Sequence, residues 1–421
     1  MAGDSASVTG LLHRVADEFG TPSFVYLVPR IRERAAEIRA AFGNRFQISY
    51  AVKSNPNPAL LRALRDIVDR LDVSSGGEVA TALACAWPAE ALSFTGPAKS
   101  DAEIAAAVAA GIGEVIVESV DECEVLDAAA ASADRRQRVL VRISPAVVPR
   151  GFGSNMSGKP SQFGIDEEVV DQAMERLLRL EHIEVVGFHV YSGTQCLNGD
   201  AIVENYATFV DIFTRVCATH GIRPEMLVFG SGLGIPYYET DTPLDLGTVG
   251  AGTLRLLDER LTDAAFAATR LVLEIGRYLV GEAGIYLTRI VRIKSSRGVE
   301  IGICDGGMNH HLGAAGHLGS VVPRNYRMFK VGTEAGFTPE RSYNLVGPLC
   351  TTIDTLARNV KLGELSAGDL IGIHCSGAYG VSASPIHFIS HAPPREVLVD
   401  GDWDLLRLSD VSQFRPRAAE G

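Results

Sequence analysis

Short apolar runs rich in β-branched residues alternate with amphipathic stretches from about residue 46 to about residue 280. The strand-like runs fall at 46–53, 70–75, 92–96, 114–119, 138–144, 183–191, 226–231 and 270–275. Between them apolar positions take helical spacing, over 57–67, 76–87, 100–110, 120–133, 166–180 and 200–219. Several of these stretches open on a Ser, Asn or Asp able to cap a first turn. Eight strand–helix units within about 230 residues predict an α/β chain built on a closed (β/α)8 TIM barrel instead of an open doubly wound sheet.

Past Tyr278 the texture changes. Runs at 285–295, 299–304, 343–346, 369–374 and 396–408 are set apart by glycine-rich turns, and long helical patterns stop. We expect a barrel over 29–279 and a mostly β domain over 280–421, completed by residues 1–28 through a strand at 23–28. Two irregular segments, 145–161 and 305–327, are long enough to suggest a functional role.

Composition narrows the function. The 421 residues are 46% hydrophobic and 21% charged, which suits a folded chain of two or three domains. Thirty-nine basic against 51 acidic residues leave a net charge of −12, so nucleic acid is not expected as a partner. No apolar run reaches membrane-spanning length, so no membrane association is expected. Seven scattered cysteines without a CxxC pair point to neither zinc nor a disulfide framework. The N-terminus lacks a basic region followed by an apolar stretch, so the cytoplasm is the expected location.

Barrel enzymes carry their chemistry at the C-terminal ends of the strands, and that rule selects four positions. Lys53 ends the first run in YAVKSN. A desolvated lysine there could form a Schiff base with an aldehyde, although a solvated surface lysine would look the same. His189 ends the sixth run in GFHVYSGTQ. It could stack on a flat ring or be an ordinary core histidine, while Ser192 and the small residues after it would admit a ligand. The seventh run leads into Gly230, Gly232 and Gly234, whose spacing differs from the dinucleotide fingerprint. Such glycines can aim amides at an anion or make a tight turn. The eighth run ends in EIGR, placing Glu274 and Arg277 within one turn, either as site residues or as a simple ion pair. In the β domain, GPLCTTID holds Cys350 and Asp354, and SGAYG holds Tyr379. The His310–His311 pair has no further ligands at suitable spacing, so no metal is expected.

The motifs YAVKSN, GFHVYSGTQ, GSGLG, EIGR, CDGG, GPLC and SGAYG, in that order across residues 20–395, resemble the fold-type III pyridoxal phosphate decarboxylases. That family includes diaminopimelate, ornithine and arginine decarboxylases. The resemblance implies pyridoxal 5′-phosphate as cofactor and Lys53 as its Schiff-base lysine. It also implies His189 stacked on the ring, Gly230 to Gly234 around the phosphate, Ser192 among the cofactor contacts, and Glu274 at the pyridine nitrogen. Arg277 and Tyr379 would meet phosphate or substrate. Cys350 would return a proton to the substrate carbon after CO₂ leaves, reaching the site of the neighbouring subunit, and a homodimer is therefore implied.

The sequence also departs from the family pattern. Diaminopimelate decarboxylases typically follow the cysteine with glutamate, whereas Thr351 and Thr352 follow here, which argues against diaminopimelate as substrate. Asp354 is the nearby carboxylate that could meet a distal amine. The strings SQFGID, DGGMNHH and GPLCTTID look most like a secondary-metabolism subgroup that includes the butirosin-biosynthesis decarboxylase, which handles a glutamyl group on a carrier protein. A carrier partner would need local basic residues, and Arg150, Lys159, Arg324 and Arg327 are the candidates, with Tyr326 beside them on the substrate side. A related racemase would prefer an arginine at the pyridine nitrogen, and a non-catalytic cofactor-binding homologue is the remaining alternative.

Overall fold

The structure, a computed structural model, describes residues 5–318, 324–333, 341–401 and 406–413, without the side chains of 5–7. The chain divides into two compact units. One comprises residues 33–235 and 242–279, the other residues 1–32, 236–241 and 280–421.

The first unit is a closed parallel barrel. Numbering strands from the N-terminal β1 (Ser23–Leu27), which belongs to the second unit, the barrel strands are β2 (Phe46–Ala51), β3 (Arg70–Val73), β4 (Leu92–Phe94), β5 (Glu114–Val117), β6 (Gln137–Ser144), β7 (Ile183–Val190), β8 (Met226–Gly230) and β9 (Arg270–Ile275). Each pairs in parallel with the next, and β9 returns to β2 through Leu271–Phe46 and Glu274–Ser49. The eight expected strands are all present, and all of them are short and nearly fully buried, as strands covered on both faces must be. Ile116, Leu140, Val186, Met226, Val228 and Val272 form a buried cluster among them.

The helices start where the caps stand. Ser75, Ser100, Ser119, Asn198 and Asp245 each accept a backbone N–H in the first turn of a following helix, and Ser100 forms a full capping box with Glu103. The segment expected to be helical over 166–180 is a 3₁₀ turn over Glu167–Val169 followed by an α-helix over Val170–Leu177, and Leu246–Arg260 adds a helix not anticipated from the pattern.

The second unit is built on β1, which pairs antiparallel with β10 (Gly284–Ser296) and parallel with β16 (Arg395–Asp400). Its sheet also contains β11 (Val299–Cys304), β12 (Met328–Lys330), β13 (Ser342–Val346), β14 (Thr355–Lys361), β15 (Leu370–Ile373) and β17 (Arg407–Asp410). The run expected as one strand over 396–408 is therefore two, β16 and β17, paired antiparallel. Helix α1 (Ser5–Glu18) packs Leu11, Leu12 and Val15 against Val25, Leu287, Val397 and Val399 of this sheet.

His310 and His311 are interior hydrogen-bonding residues. His310 Nε2 lies 3.0 Å from the Ala392 carbonyl and His311 Nε2 3.0 Å from Ser376 Oγ. Burial lowers their pKa values to about 4 and about 3, keeping both neutral. Among the described residues no cluster of His, Cys, Asp or Glu is arranged to hold a metal, and no helix is long and apolar enough to cross a membrane.

At Gly187, φ is +156° and an added Cβ would lie 1.8 Å from the Met226 carbonyl oxygen of the adjacent strand. Gly187→Ala is expected to destabilise the barrel by about 3 kcal/mol or more, read as a lower urea midpoint. Gly10→Ala, in α1 with open space around the new methyl, is expected to leave the midpoint unchanged or raise it.

Candidate active site

Lys53 sits in a 3₁₀ turn, Val52–Ser54, directly after β2. Ser54 Oγ donates to the Ala51 carbonyl, and Tyr50 Oη to the Asn55 carbonyl, so the turn is held from both sides. Lys53 Nζ lies 3.6 Å from Asp72 Oδ2 and 3.8 Å from Glu274 Oε1, with the Tyr191 ring centroid at 5.8 Å. The lysine side chain keeps 40% of its exposure, whereas both carboxylates are buried.

Glu274 stands near the end of β9, in register with Gly230 of β8 and Ser49 of β2. Its Oε2 lies 2.9 Å from His189 Nε2. Burial alone would raise the pKa of Glu274, but the hydrogen bond to His189 and the Lys53 ammonium reverse this and hold it at about 2. Burial lowers the pKa of His189 against the pull of Glu274. A neutral imidazole facing an ionised, acceptor-only carboxylate must present Nε2–H, which leaves Nδ1 without a hydrogen. Asp72 behaves in the opposite way. Burial first, and then the Glu274 charge, push its pKa up to about 8, against the pull of Lys53 and the hydroxyl of Thr95.

The turn after β8 supplies an anion site. Gly232 is left-handed at φ +68°, and a Cβ there would lie 2.6 Å from the Phe152 ring. At Gly230 a Cβ would come within 2.3 Å of the Tyr191 ring. The Ser231 amide donates to the Glu274 carbonyl and the Gly234 amide to the Cys196 carbonyl, so among the described residues the turn leaves over the amides of Gly232 and Leu233. Ser192 Oγ and His189 Nδ1 are buried with no hydrogen-bond partner in the protein. Buried polar atoms left unpaired in this way are where a ligand's own polar groups belong.

This set fits pyridoxal phosphate. Lys53 would meet its aldehyde and Glu274 its ring nitrogen, while Ser192 and the Gly232 and Leu233 amides would meet its phosphate. The barrel thus brings Lys53, His189, Glu274 and the glycine turn into one neighbourhood, and Arg277 opens the short helix Arg277–Val280 just after β9.

The other expected site residues belong to the β unit. Cys350 is exposed on the turn between β13 and β14. Tyr379 is half-buried in the left-handed region at φ +54°, which bulky side chains seldom adopt. Tyr326 is buried against Tyr237, with ring centroids 4.6 Å apart. Arg324 stacks on Tyr238 and lies 3.7 Å from Asp241. Asp354 is placed otherwise than expected for a substrate contact. It is buried, with Oδ1 accepting from the Met308 amide and Oδ2 from the Leu349 amide, and so it braces the Cys350 turn.

Asp72, Thr95, Glu118 and Arg142 were not singled out from the sequence. Arg142 Nη1 pairs with Glu118 Oε2 at 2.9 Å, both buried, and Glu118 also accepts the amides of Gly96 and Gly164. Applying the strand-end rule to every strand, not only to those carrying a recognisable motif, would have found all four.

A parallel eight-stranded barrel with a lysine, two carboxylates and a glycine turn at its strand ends, joined to a β unit, defines a class of pyridoxal-dependent enzyme. The family model for the pyridoxal-dependent decarboxylase, pyridoxal binding domain, matches residues 28–281, and the chain belongs to that family. It is 35% identical over 410 residues to L-glutamyl-[BtrI acyl-carrier protein] decarboxylase of Niallia circulans, covering 96% of this chain and 94% of that one. It is 32% identical to diaminopimelate decarboxylase of Methanothermobacter thermautotrophicus, covering 93% and 90%. Among solved structures, diaminopimelate decarboxylase from M. jannaschi superposes with a TM-score of 0.86 at 26% identity, covering 96% of this chain and 92% of that one. The protein is a pyridoxal 5′-phosphate-dependent amino-acid decarboxylase.

Asp72 gives the unliganded site a measurable pH signature. Its folded-state pKa of about 8 lies above the usual carboxylate range near 4, so between these values the folded protein binds a proton that the unfolded chain has released. Stability therefore falls as pH rises through that window. Denaturant titrations of Asp72→Asn are expected to show a flatter profile there than wild type, and equal slopes would refute the retained proton.

Proposed function

We propose that the chain decarboxylates an L-amino acid whose α-carboxylate is free and whose side-chain carboxyl is held as a thioester on a carrier protein, in biosynthesis or secondary metabolism. It would act as a cytoplasmic homodimer in which each Cys350 serves the other subunit's barrel. The observation that carries the reading is the Lys53 amine held between two buried carboxylates, with Glu274 kept ionised by His189. When bound, pyridoxal phosphate supplies an aldehyde for amines and a protonated ring that takes up the electron pair left by a departing carboxylate.

The protein's own groups prepare and complete that chemistry. Lys53 Nζ must lose a proton before it can attack an aldehyde; its side chain keeps 40% of its exposure, so water can take that proton, while Asp72 Oδ2, 3.6 Å away and raised in pKa, keeps its own near neutral pH. Glu274, ionised and fixed by His189, places a negative charge where a pyridine nitrogen would be kept protonated. This favours decarboxylation over racemisation, which prefers a less protonated ring. The Cys350 thiol, exposed on a turn braced by Asp354, would donate a proton to the α-carbon once CO₂ has left, so that an amine and CO₂ are the products.

The preference for a carrier-held substrate rests on the 35% identity to the carrier-protein glutamyl decarboxylase and on Thr351 and Thr352 after Cys350. No carboxylate immediately follows the thiol to meet a charged distal amine.

Lys53→Ala is expected to abolish both the visible absorption band of the bound cofactor and CO₂ release, and retention of either refutes the lysine's role. Mixing Lys53→Ala with Cys350→Ala chains, each inactive alone, is expected to restore partial activity through hybrid dimers. Failure to complement while dimers form would overturn the shared site. Carbon dioxide release is then compared across free glutamate, free diamino acids and a glutamyl-loaded carrier, and the loaded carrier is expected to have the highest kcat/KM.

A further inference from the structure

The β unit contains a groove of about 580 Å³ that none of the chemistry above uses. Its lining includes the apolar residues Ala315, Leu356 and Ala357 and the two arginines Arg324 and Arg358. Thr352, two residues on from Cys350, also lines it, so the groove begins beside the segment that carries the thiol.

Both arginines are set in place. The Arg324 guanidinium carbon lies 3.6 Å from the Tyr238 ring centroid, and Asp241 Oδ1 is 3.7 Å from its Nη1. Asn325 bonds the Arg358 backbone twice, donating to its carbonyl at 2.7 Å and accepting from its amide at 2.9 Å. This fixes the strand carrying Arg358 beside the segment carrying Arg324. Arg358 is exposed and has no carboxylate partner among the described residues. In a chain of net charge −12, two arginines lining one groove with apolar residues are a local exception with a clear preference for a compact anion. Ile353, half exposed at the same groove, adds apolar surface for the uncharged part of a ligand.

We propose that this groove holds the phosphopantetheine arm of an acyl carrier protein, with the phosphate between Arg324 and Arg358 and the uncharged chain running along the apolar lining toward Thr352 and Cys350. This rests on the carrier-held substrate proposed above and names the residues that recognise it. Coenzyme A carries the same arm but adds further phosphates. The groove's two guanidiniums, one already shared with Asp241, match a single phosphodiester better.

The test uses the cofactor-loaded enzyme. Calorimetric titration with 4′-phosphopantetheine and with pantetheine is expected to show the phosphorylated probe binding about tenfold tighter, the size of a charge-assisted contact. Arg324→Ala/Arg358→Ala is expected to lose that preference and Arg324→Lys/Arg358→Lys to keep most of it. With glutamyl-loaded BtrI carrier protein as substrate, the alanine pair is expected to raise KM about tenfold at unchanged kcat. The KM for a short glutamyl N-acetylcysteamine thioester, which lacks the phosphate, is expected to stay the same and so reports intact folding. Equal binding of the two probes by wild type, or an unchanged carrier KM in the alanine pair, overturns the groove assignment. A lower KM for glutamyl-coenzyme A than for the loaded carrier overturns the choice of occupant. Turnover of free amino acids with none of either thioester refutes the carrier reading, and the probe titration then decides the groove alone.

Discussion

A carboxylate that stays ionised in the interior is the constraint around which the barrel's upper end is arranged. Burying Glu274 opposes its charge, and the opposition is overcome by a hydrogen bond from His189 together with the nearby Lys53 ammonium. Each partner is itself constrained by that carboxylate. His189 must present Nε2–H, and Lys53 must keep its amine near the strand ends although the side chain has a route to solvent. Counting charges explains the rest: Lys53 supplies one positive charge for two buried carboxylates, and His189 stays neutral. One carboxylate has to retain a proton, and Asp72, without an imidazole partner, is the one that does. The site thus holds both a fixed negative charge and a movable proton within reach of one amine.

The opposite end of the barrel shows what a purely structural solution to buried charge looks like. Arg70 near the start of β3 pairs with Glu114 at the start of β5, with the Ser93 hydroxyl joining them, and Arg138 lies 3.9 Å from Glu114 and 2.8 Å from Glu225. Burial lowers the pKa of Arg70 and raises that of Glu114, and the attraction between the two charges opposes both shifts. At the strand C-termini the Arg142–Glu118 pair is matched in the same way, with two backbone amides satisfying the carboxylate further. The Lys53, Asp72 and Glu274 group differs from both, with one ammonium facing two buried carboxylates. An unbalanced group beside the unpaired polar atoms of Ser192 and His189 is what a cofactor with an aldehyde, a basic ring nitrogen and a phosphate would complete.

The barrel could be read from the sequence because both of its periodicities are strong. Strands buried on two faces appear as unbroken apolar runs, and helices with one solvated face appear as 3.6-residue patterns opened by capping residues. Lys53, His189 and Glu274 were readable because each interrupts or ends such a run with a polar group. Asp72 was not, since RLDVSS looks like a short strand entering a capped helix, and its importance depends on a lysine nineteen residues earlier. The β unit was read less completely. Its strands are short and separated by turns, so Met328–Lys330 and Thr355–Lys361 carry too little pattern to stand out, and the break between β16 and β17 was missed. Its binding to β1 depends on pairing between residues more than 250 positions apart, which local pattern reports only as a strand in need of a sheet.

Asp354 shows how a residue can be noticed for one reason and matter for another. A carboxylate four residues after the cysteine suggests contact with a distal amine, but a carboxylate that accepts two backbone amides while buried is poorly placed to accept a third, charged donor. Its immediate work is mechanical. It ties Met308 on one segment to Leu349 on another, and the Gly347 amide donates to its carbonyl, so the turn bearing Cys350 is closed at its base while the thiol stays exposed. An added Cβ at Gly307 or Gly347 would come within 2.1 or 2.4 Å of this carboxylate, so both glycines are needed for it to reach the amides. Charge selection on the substrate is then left to groups outside this turn. That is consistent with a substrate whose distal end is an uncharged thioester link to a larger carrier, where specificity comes from the arm and not from a second charge on the amino acid.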